Sequence, residues 1–461
     1  MNDPAVKNNK MADMPVNKLM LNMGVPMIIS MMLQAVYNIV DSAFVANMKD
    51  VGEQALNALT LAFPVQMLMV AVGIGTGVGV NALLAKSMGQ QDTEKAAKTA
   101  GNGIFLMAVI YLVFLLFGLF GTDAYLATQT GNPMIAGMAS DYLKICCGLS
   151  FGILSFSLYE KILQATGKSM YSTIAQITGA VVNIVLDPIM IYGWCGCPEL
   201  GVSGAAYATV IGQIVSALFG IFFHIKVNKE VKNGISYMKP SAGIIKGIYA
   251  IGFAAIVAQA LMSVMTYLLN VIFVKIGENV VTAYGLYYKI QQFILFAAFG
   301  LRDAITPIIS YSHGRKDRER VSAGVKYGLC YTLIIMLAGF IGLELLAQPL
   351  AGLFGLSGET GALCVTAIRV ISVSYVFAGA NIAFQGIFQA LDSGMESLVI
   401  SVCRQFLFVI PVAYAFSMLV IHGNCEIWIV WLTFPIAEAL SVLVSLLFMR
   451  RVEQNKIKKL A

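Results

Sequence analysis

Twelve stretches of this 461-residue chain are apolar over about 20 residues or more, and each is long enough to cross a bilayer as a helix. They lie near residues 18–48, 54–86, 99–121, 133–165, 170–193, 201–226, 242–275, 280–311, 321–346, 360–391, 395–421 and 426–449. In hydrocarbon every backbone N–H and C=O must be satisfied within the protein, so such runs are expected to be helices. Only 12% of the residues are charged and 58% are hydrophobic, against about 25% charged in soluble proteins. The expected fold is all-α and integral to a membrane. The polar leading segment lacks the short apolar core and small-residue cleavage site of a signal peptide, so the first span is expected to be retained.

Lys and Arg collect on alternate connections. One set carries Lys7, Lys10 and Lys18, then Lys86, Lys95 and Lys98, then Lys161 and Lys168, then Lys226 to Lys239, then Arg315 to Arg320, and finally Arg450 to Lys459. The other set offers little beyond Lys49 and Lys275. This asymmetry places both termini in the cytoplasm of a multi-pass protein of the cell membrane. The net charge of +6 is accounted for by loops next to an anionic leaflet, so no nucleic-acid partner is implied.

The chain also repeats itself. At an offset of 225, Gly52, Glu53, Ala58, Gln66, Gly75, Ser87, Gly89, Asp92 and Glu94 meet identical residues at Gly277, Glu278, Ala283, Gln291, Gly300, Ser312, Gly314, Asp317 and Glu319. Ile162, Gln164, Ala165, Met170 and Ser172 likewise meet Ile387, Gln389, Ala390, Met395 and Ser397. Each copy holds six spans, an even number, so both enter from the same side and their pseudo-twofold axis lies along the membrane normal. The expected organisation is a cytoplasmic tail (1–17), a six-helix lobe (18–228), a cytoplasmic linker (229–241), a second six-helix lobe (242–450) and a cytoplasmic tail (451–461), with a central cleft. Parallel repeats with a ligand site near the midplane are a transporter arrangement.

The repeat serves as an internal control on the motifs. Gly73, Gly75, Gly77 and Gly79 do not have phosphate-loop spacing and no strand precedes them, which leaves close helix packing. His313 near Asp317 would suit a base for acyl transfer, but the first repeat has Met88 at that place while keeping Gly89 and Asp92, so the shared feature is a turn. Three histidines near span ends make no metal cluster, and no cofactor is expected. Cys195, Cys197 and Cys425 fall on corresponding connections where a pair could bridge, although three thiols leave one over. The 24 methionines fill cores or offer an adaptable wall to varied hydrophobic ligands.

Two carboxylates stand out in apolar surroundings: Asp41 in YNIVDSAFV and Asp187 in NIVLDPIMI. A charge at such depth costs a few kcal/mol, so it usually faces a cavity and marks an ion path. Gln34, Tyr37, Asn38 and Asp41 fall at helical steps of three or four, which makes one polar stripe. Gln176, Asn183 and Asp187 form a second, and Thr209, Gln213 and Ser216 a third. Asp187 pairs with Val412 and Asn183 with Phe408 in the other copy, and, allowing for a drift of a few residues before Gly52, Asp41 with Asn270, so only the first lobe kept the acids. Two carboxylates in close approach can hold a proton near neutral pH; with the oxygens of Asn183 and Thr209 they could also help to ligate Na⁺. Of the other charges within spans, adjacent Arg302 and Asp303 diverge on a helix and need not neutralise each other.

These motifs, with GAAYATVIG in the sixth span and the paired loops SMGQQD and SHGRKD, resemble the multidrug and toxic compound extrusion (MATE) family, and among its members the DinF-like and multidrug branch. The resemblance covers nearly the whole chain. It implies a monomeric antiporter, not an enzyme, that exports cationic or amphipathic organic compounds in exchange for H⁺ or Na⁺. It also implies a coupling site at Asp41, Asn183, Asp187 and Thr209, supported by Gln34, Tyr37 and Asn38. Relatives often supply an Asn from the fourth span, where this chain has Ser157 with Glu160 one turn on; these two are additional candidates for the site, Glu160 either substituting as a ligand or, the favoured reading, pairing with Lys161 or Lys168. The alternatives are a flippase for lipid-linked precursors, whose cleft would gather Arg and Lys around a pyrophosphate, and a membrane acyltransferase.

Overall fold

The structure, a computed structural model, describes residues 10–49, 51–353 and 358–460, apart from the side chains of Asn38, Glu53 and Leu353. Lys7 and the Asn38 side chain therefore lie outside the described residues. The helices in chain order are α1 (Lys10–Asp13), α2 (Val16–Ala46), α3 (Gly52–Gly89), α4 (Thr93–Leu116), α5 (Thr122–Ala127), α6 (Pro133–Gly148), α7 (Phe151–Ala165), α8 (Ser169–Tyr192) and α9 (Val202–Val227). They continue with α10 (Ala242–Phe273), α11 (Glu278–Gly314), α12 (Arg318–Leu353), α13 (Gly358–Ser372), α14 (Tyr375–Ala390), α15 (Gly394–Val402), α16 (Val409–Ile421) and α17 (Thr433–Val452). Among the described residues there is no strand, and ten helical segments are long and apolar enough to cross a membrane.

Two further spans are bent pairs, so the total reaches twelve. The sequence reading ran 133–165 and 360–391 as single helices. Instead α6 and α7 meet at 46°, and α13 and α14 at 50°. Both breaks fall within one residue of the same place in the repeat, at Leu149 and Ser150 in one copy and at Val373 and Ser374 in the other. Hydropathy does not change across either break, so an apolar run could not reveal them.

The repeat extends to backbone detail. Gln91 and Lys316, 225 residues apart, both adopt a left-handed φ of 60°. Asp92 Oδ1 accepts from Lys95 N at 2.9 Å to cap α4, and Asp317 Oδ1 accepts from Arg320 N at 3.0 Å to cap α12. An aspartate there satisfies one of the orphan N–H groups of a helix start. His313 thus sits beside a structural turn, as the comparison with Met88 implied.

The chain divides into two compact units. One contains Ile29–Ile256 with the segment up to Met14, the other Pro15–Ile28 with Val257 onward. The repeat boundaries and the packing units do not coincide along α2 and α10, since each of these helices gives its first part to the other copy's unit. Glycine makes this possible. In the first unit a Cβ on Gly79 would lie 2.1 Å from Ile248 O of α10, and one on Gly75 would lie 2.8 Å from Ile256 N. In the second unit Gly300, the repeat partner of Gly75, meets Ile28 of α2 with a Cβ distance of 2.7 Å. Gly73 and Gly77 face α7 through Leu154 and Lys161. The alternating glycines of α3 are therefore packing residues, backbone against backbone.

Within the second unit Phe273, Tyr284, Trp431 and Phe434 form an aromatic core with ring centroids 5.2–5.7 Å apart. The outward residues are also apolar: Phe120 is 79% exposed and Leu345 76%. Exposed apolar surface on this scale suits hydrocarbon and not water. All eight cysteines are free thiols.

Candidate functional site

The polar residues of the first unit meet because α8 and α9 approach backbone to backbone. A Cβ on Gly179 would lie 2.4 Å from Gly212 O, and one on Gly212 would lie 3.0 Å from the Asn183 Cβ. This contact sets Asn183 and Thr209 on the wall of one cavity, which has about 670 Å³ of empty space counting the part that opens outward. The same cavity is lined by Gln34 and Tyr37 of α2, Ser157 and Glu160 of α7, and Gln176, Gln213 and Ser216.

Asp187 is fully buried and accepts from Asn183 Nδ2 at 3.2 Å. α2 is tied to α8 three residues beyond Asp41, where the Tyr192 hydroxyl donates to Phe44 O at 2.5 Å. Neither aspartate is among the residues lining the cavity; Asp187 is connected to it through Asn183. Four buried oxygens of this group make no hydrogen bond: Asp41 Oδ1, Asn183 Oδ1, Asp187 Oδ2 and Thr209 Oγ1. A buried oxygen without a donor costs roughly 1–3 kcal/mol. Such oxygens suit an incoming proton or a hard cation, which supplies what the chain withholds. Among the described residues no cluster of three or more His, Cys, Asp or Glu could hold a metal.

Gln34 and Gln176 are tied together, with Gln176 Nε2 donating to Gln34 Oε1 at 3.4 Å and Ser30 Oγ donating to Gln176 Oε1. Ser30 was not found from the sequence, since a lone serine in an apolar span carries no signal of its own.

The Glu160 end of the cavity corrects the placement of Lys161. Lys161 was counted as a loop cation, but it is 2% exposed and lines the cavity from within α7. Its Nζ donates to Gln164 Oε1 at 3.0 Å, and Gln164 Nε2 donates to Glu160 Oε1 at 3.0 Å, so Gln164 bridges the two charges. Lys168 turns away to Glu230, 3.5 Å distant, and to Val227 O at 2.8 Å. Arg302 and Asp303 also differ from expectation: Nη2 reaches Asp303 Oδ1 at 2.8 Å. The long, planar guanidinium folds back along the helix, which Cα directions alone do not convey.

Comparison with known proteins agrees with this architecture. The chain is 25% identical over 434 residues to the multidrug export protein MepA of Staphylococcus saprophyticus, covering 94% of this chain and 93% of that one. A MepA of Staphylococcus aureus is also 25% identical, over 433 residues with the same coverage. Among solved structures, a MATE in complex with MaL6 superposes with a TM-score of 0.90 at 25% identity, covering 98% of this chain and 99% of that one. An outward-facing multidrug resistance MATE family transporter of the MOP superfamily gives 0.89 at the same identity and coverage. The family model described as MatE matches residues 26–189 and again 254–415, once in each repeat, and the chain belongs to that family.

Proposed function

We propose that this protein is a secondary active exporter of cationic or amphipathic organic compounds, exchanged for H⁺ by alternating access. The observation that carries the reading is the set of unpartnered buried oxygens on Asp41, Asn183, Asp187 and Thr209. All four lie in the first unit, and the acids among them have no counterpart in the second repeat. The similarity to proteins named for multidrug export supports the substrate class.

Two carboxylates brought close together share a proton more readily than they both ionise, and such a pair titrates as a unit. The protonated pair favours one arrangement of α2 and α8, the ionised pair the other, with Pro26 and Pro188 inside those helices as places to bend. Proton entry then expels substrate, provided proton affinity differs between the two states. Na⁺ is the competing coupling ion, through the same oxygens. The flippase reading is weakened because Arg302 and Arg404 are each engaged by a carboxylate and not left for pyrophosphate.

Dye efflux from proteoliposomes, driven separately by a pH gradient and by a Na⁺ gradient, tests the proposal; efflux that a pH gradient does not drive would reject it. Both termini and the His313 turn are proposed to face the cytoplasm. Ready labelling from outside intact cells of a cysteine placed at Lys316 would overturn that orientation.

A further inference from the structure

The second unit holds a cavity of its own, with about 610 Å³ of empty space counting the part that opens outward. Its walls are apolar and aromatic, with Met262 and Met265 from α10, Phe299 from α11 and Phe434 from α17. The polar lining centres on Arg404 and Gln405, consecutive on the π-helical turn Cys403–Leu407, and on Glu438 of α17.

Arg404 Nε donates to both Glu438 oxygens at 2.9 Å, and Nη2 donates to Oε1 at 2.7 Å. Asn381 Nδ2 donates to Glu438 Oε2, also at 2.7 Å. The pair is electrically neutral and its carboxylate is well satisfied, as burial of two charges demands. Nη1 of the guanidinium takes no part in these bonds. Beside it Gln405 is only 7% exposed, and its Oε1 is buried without a hydrogen-bond partner. The fold does not require this constellation, because the first repeat has Gly179, Ala180 and Gln213 at the places of Arg404, Gln405 and Glu438.

We propose that this cavity is a second binding site, selective for uncharged amphipathic molecules that offer an acceptor to Arg404 and an N–H or O–H donor to Gln405. Because the ion pair has no net charge, a monocation or a monoanion entering beside it would lose its hydration with no counter-charge left to replace it, whereas a neutral molecule leaves the pair intact. Its donor satisfies the orphan oxygen of Gln405, and its apolar body packs on the methionine and aromatic walls. The adaptable thioethers of Met262 and Met265 suit ligands of varied shape. The site is independent of the coupling group in the first unit, so it stands or falls separately from the transport reading.

The test uses the purified full chain and three probes: naphthanilide, a neutral aryl amide with both a carbonyl and an N–H; its N-methylated analogue, which lacks the donor; and tetraphenylphosphonium, a cation with neither. Naphthanilide should bind saturably, and Gln405→Met, which keeps volume and removes the acceptor, should weaken it about tenfold. The N-methylated analogue should bind the unmodified protein as weakly as naphthanilide binds the variant. Asp187→Asn should leave naphthanilide affinity unchanged, and Gln405→Met should leave tetraphenylphosphonium affinity unchanged. The proposal is overturned if naphthanilide does not saturate, if both amides bind the unmodified protein equally, or if Asp187→Asn weakens naphthanilide while Gln405→Met does not. Should Gln405→Met fail to fold, the comparison of the two amides on the unmodified protein decides the matter.

Discussion

Asn183 donates its side-chain N–H to Asp187 Oδ1 at 3.2 Å, one helical turn apart on α8, and each residue keeps a buried oxygen that nothing else engages. The bond fixes the orientation of both side chains while leaving acceptor capacity directed elsewhere. A purely structural pair would be expected to satisfy those oxygens within the protein.

Asp41→Asn and Asp187→Asn are each expected to abolish coupled export without preventing insertion or folding, since each removes charge but little volume. Asn183→Ala should lower export about tenfold, by removing one hydrogen bond to a charged group. Efflux at matched expression is the measurement, and wild-type rates from either aspartate variant would refute the assignment.

Gly79→Ala should destabilise the first unit by about 1–3 kcal/mol, the usual cost of overpacking, because the new Cβ would meet Ile248 O at 2.1 Å. Gly131→Ala, with nothing within 4 Å of its Cβ position, should be neutral to within about 0.5 kcal/mol. Thermal melting of the purified variants distinguishes the two, and equal melting temperatures would contradict the packing role of the α3 glycines.

Asp92 and Asp317 make the same capping bond in the two repeats. Their alanine variants should each cost about 1 kcal/mol, and the double variant should cost the sum to within about 0.5 kcal/mol. Thermal melting again reports the result; a large loss of transport from Asp317→Ala with none from Asp92→Ala would reopen a chemical role for the His313 turn.

Much of this was legible in the sequence because membrane physics leaves few alternatives. Apolar runs reveal spans, and a carboxylate among isoleucines is conspicuous for the same reason that it is costly. Asp41, Asn183, Asp187 and Thr209 could therefore be singled out as polar residues of apolar spans, each of which carries a buried oxygen without a partner, and the offset of 225 showed that the acids belong to one copy only. What could not be read were pairings that depend on side-chain reach. Lys161 looked like a loop lysine until its helix placed it in the cavity wall, and Arg404 and Glu438 are 34 residues apart with no motif to connect them. The bends at Leu149 and Val373 were hidden because turns within apolar runs do not alter hydropathy.

Burial holds the Lys168 amine below its ordinary value of 10.5, with Glu230 pulling the other way. The unfolded chain then binds this proton more tightly than the folded one, so the contribution to stability rises as pH climbs through the folded value towards 10.5. Melting temperature followed from neutral pH upward should rise less steeply, or fall more steeply, in Lys168→Met than in the unmodified protein. Identical slopes would contradict the inferred burial of the charge.

The account rests on proton and substrate competing through the Asp41–Asp187 pair, and the most direct test is substrate affinity measured across pH, first without Na⁺ and then with it. Affinity is predicted to fall as pH falls, to lose that dependence in Asp187→Asn, and to be unaffected by Na⁺. A pH-independent affinity that responds only to Na⁺ would contradict the proton mechanism.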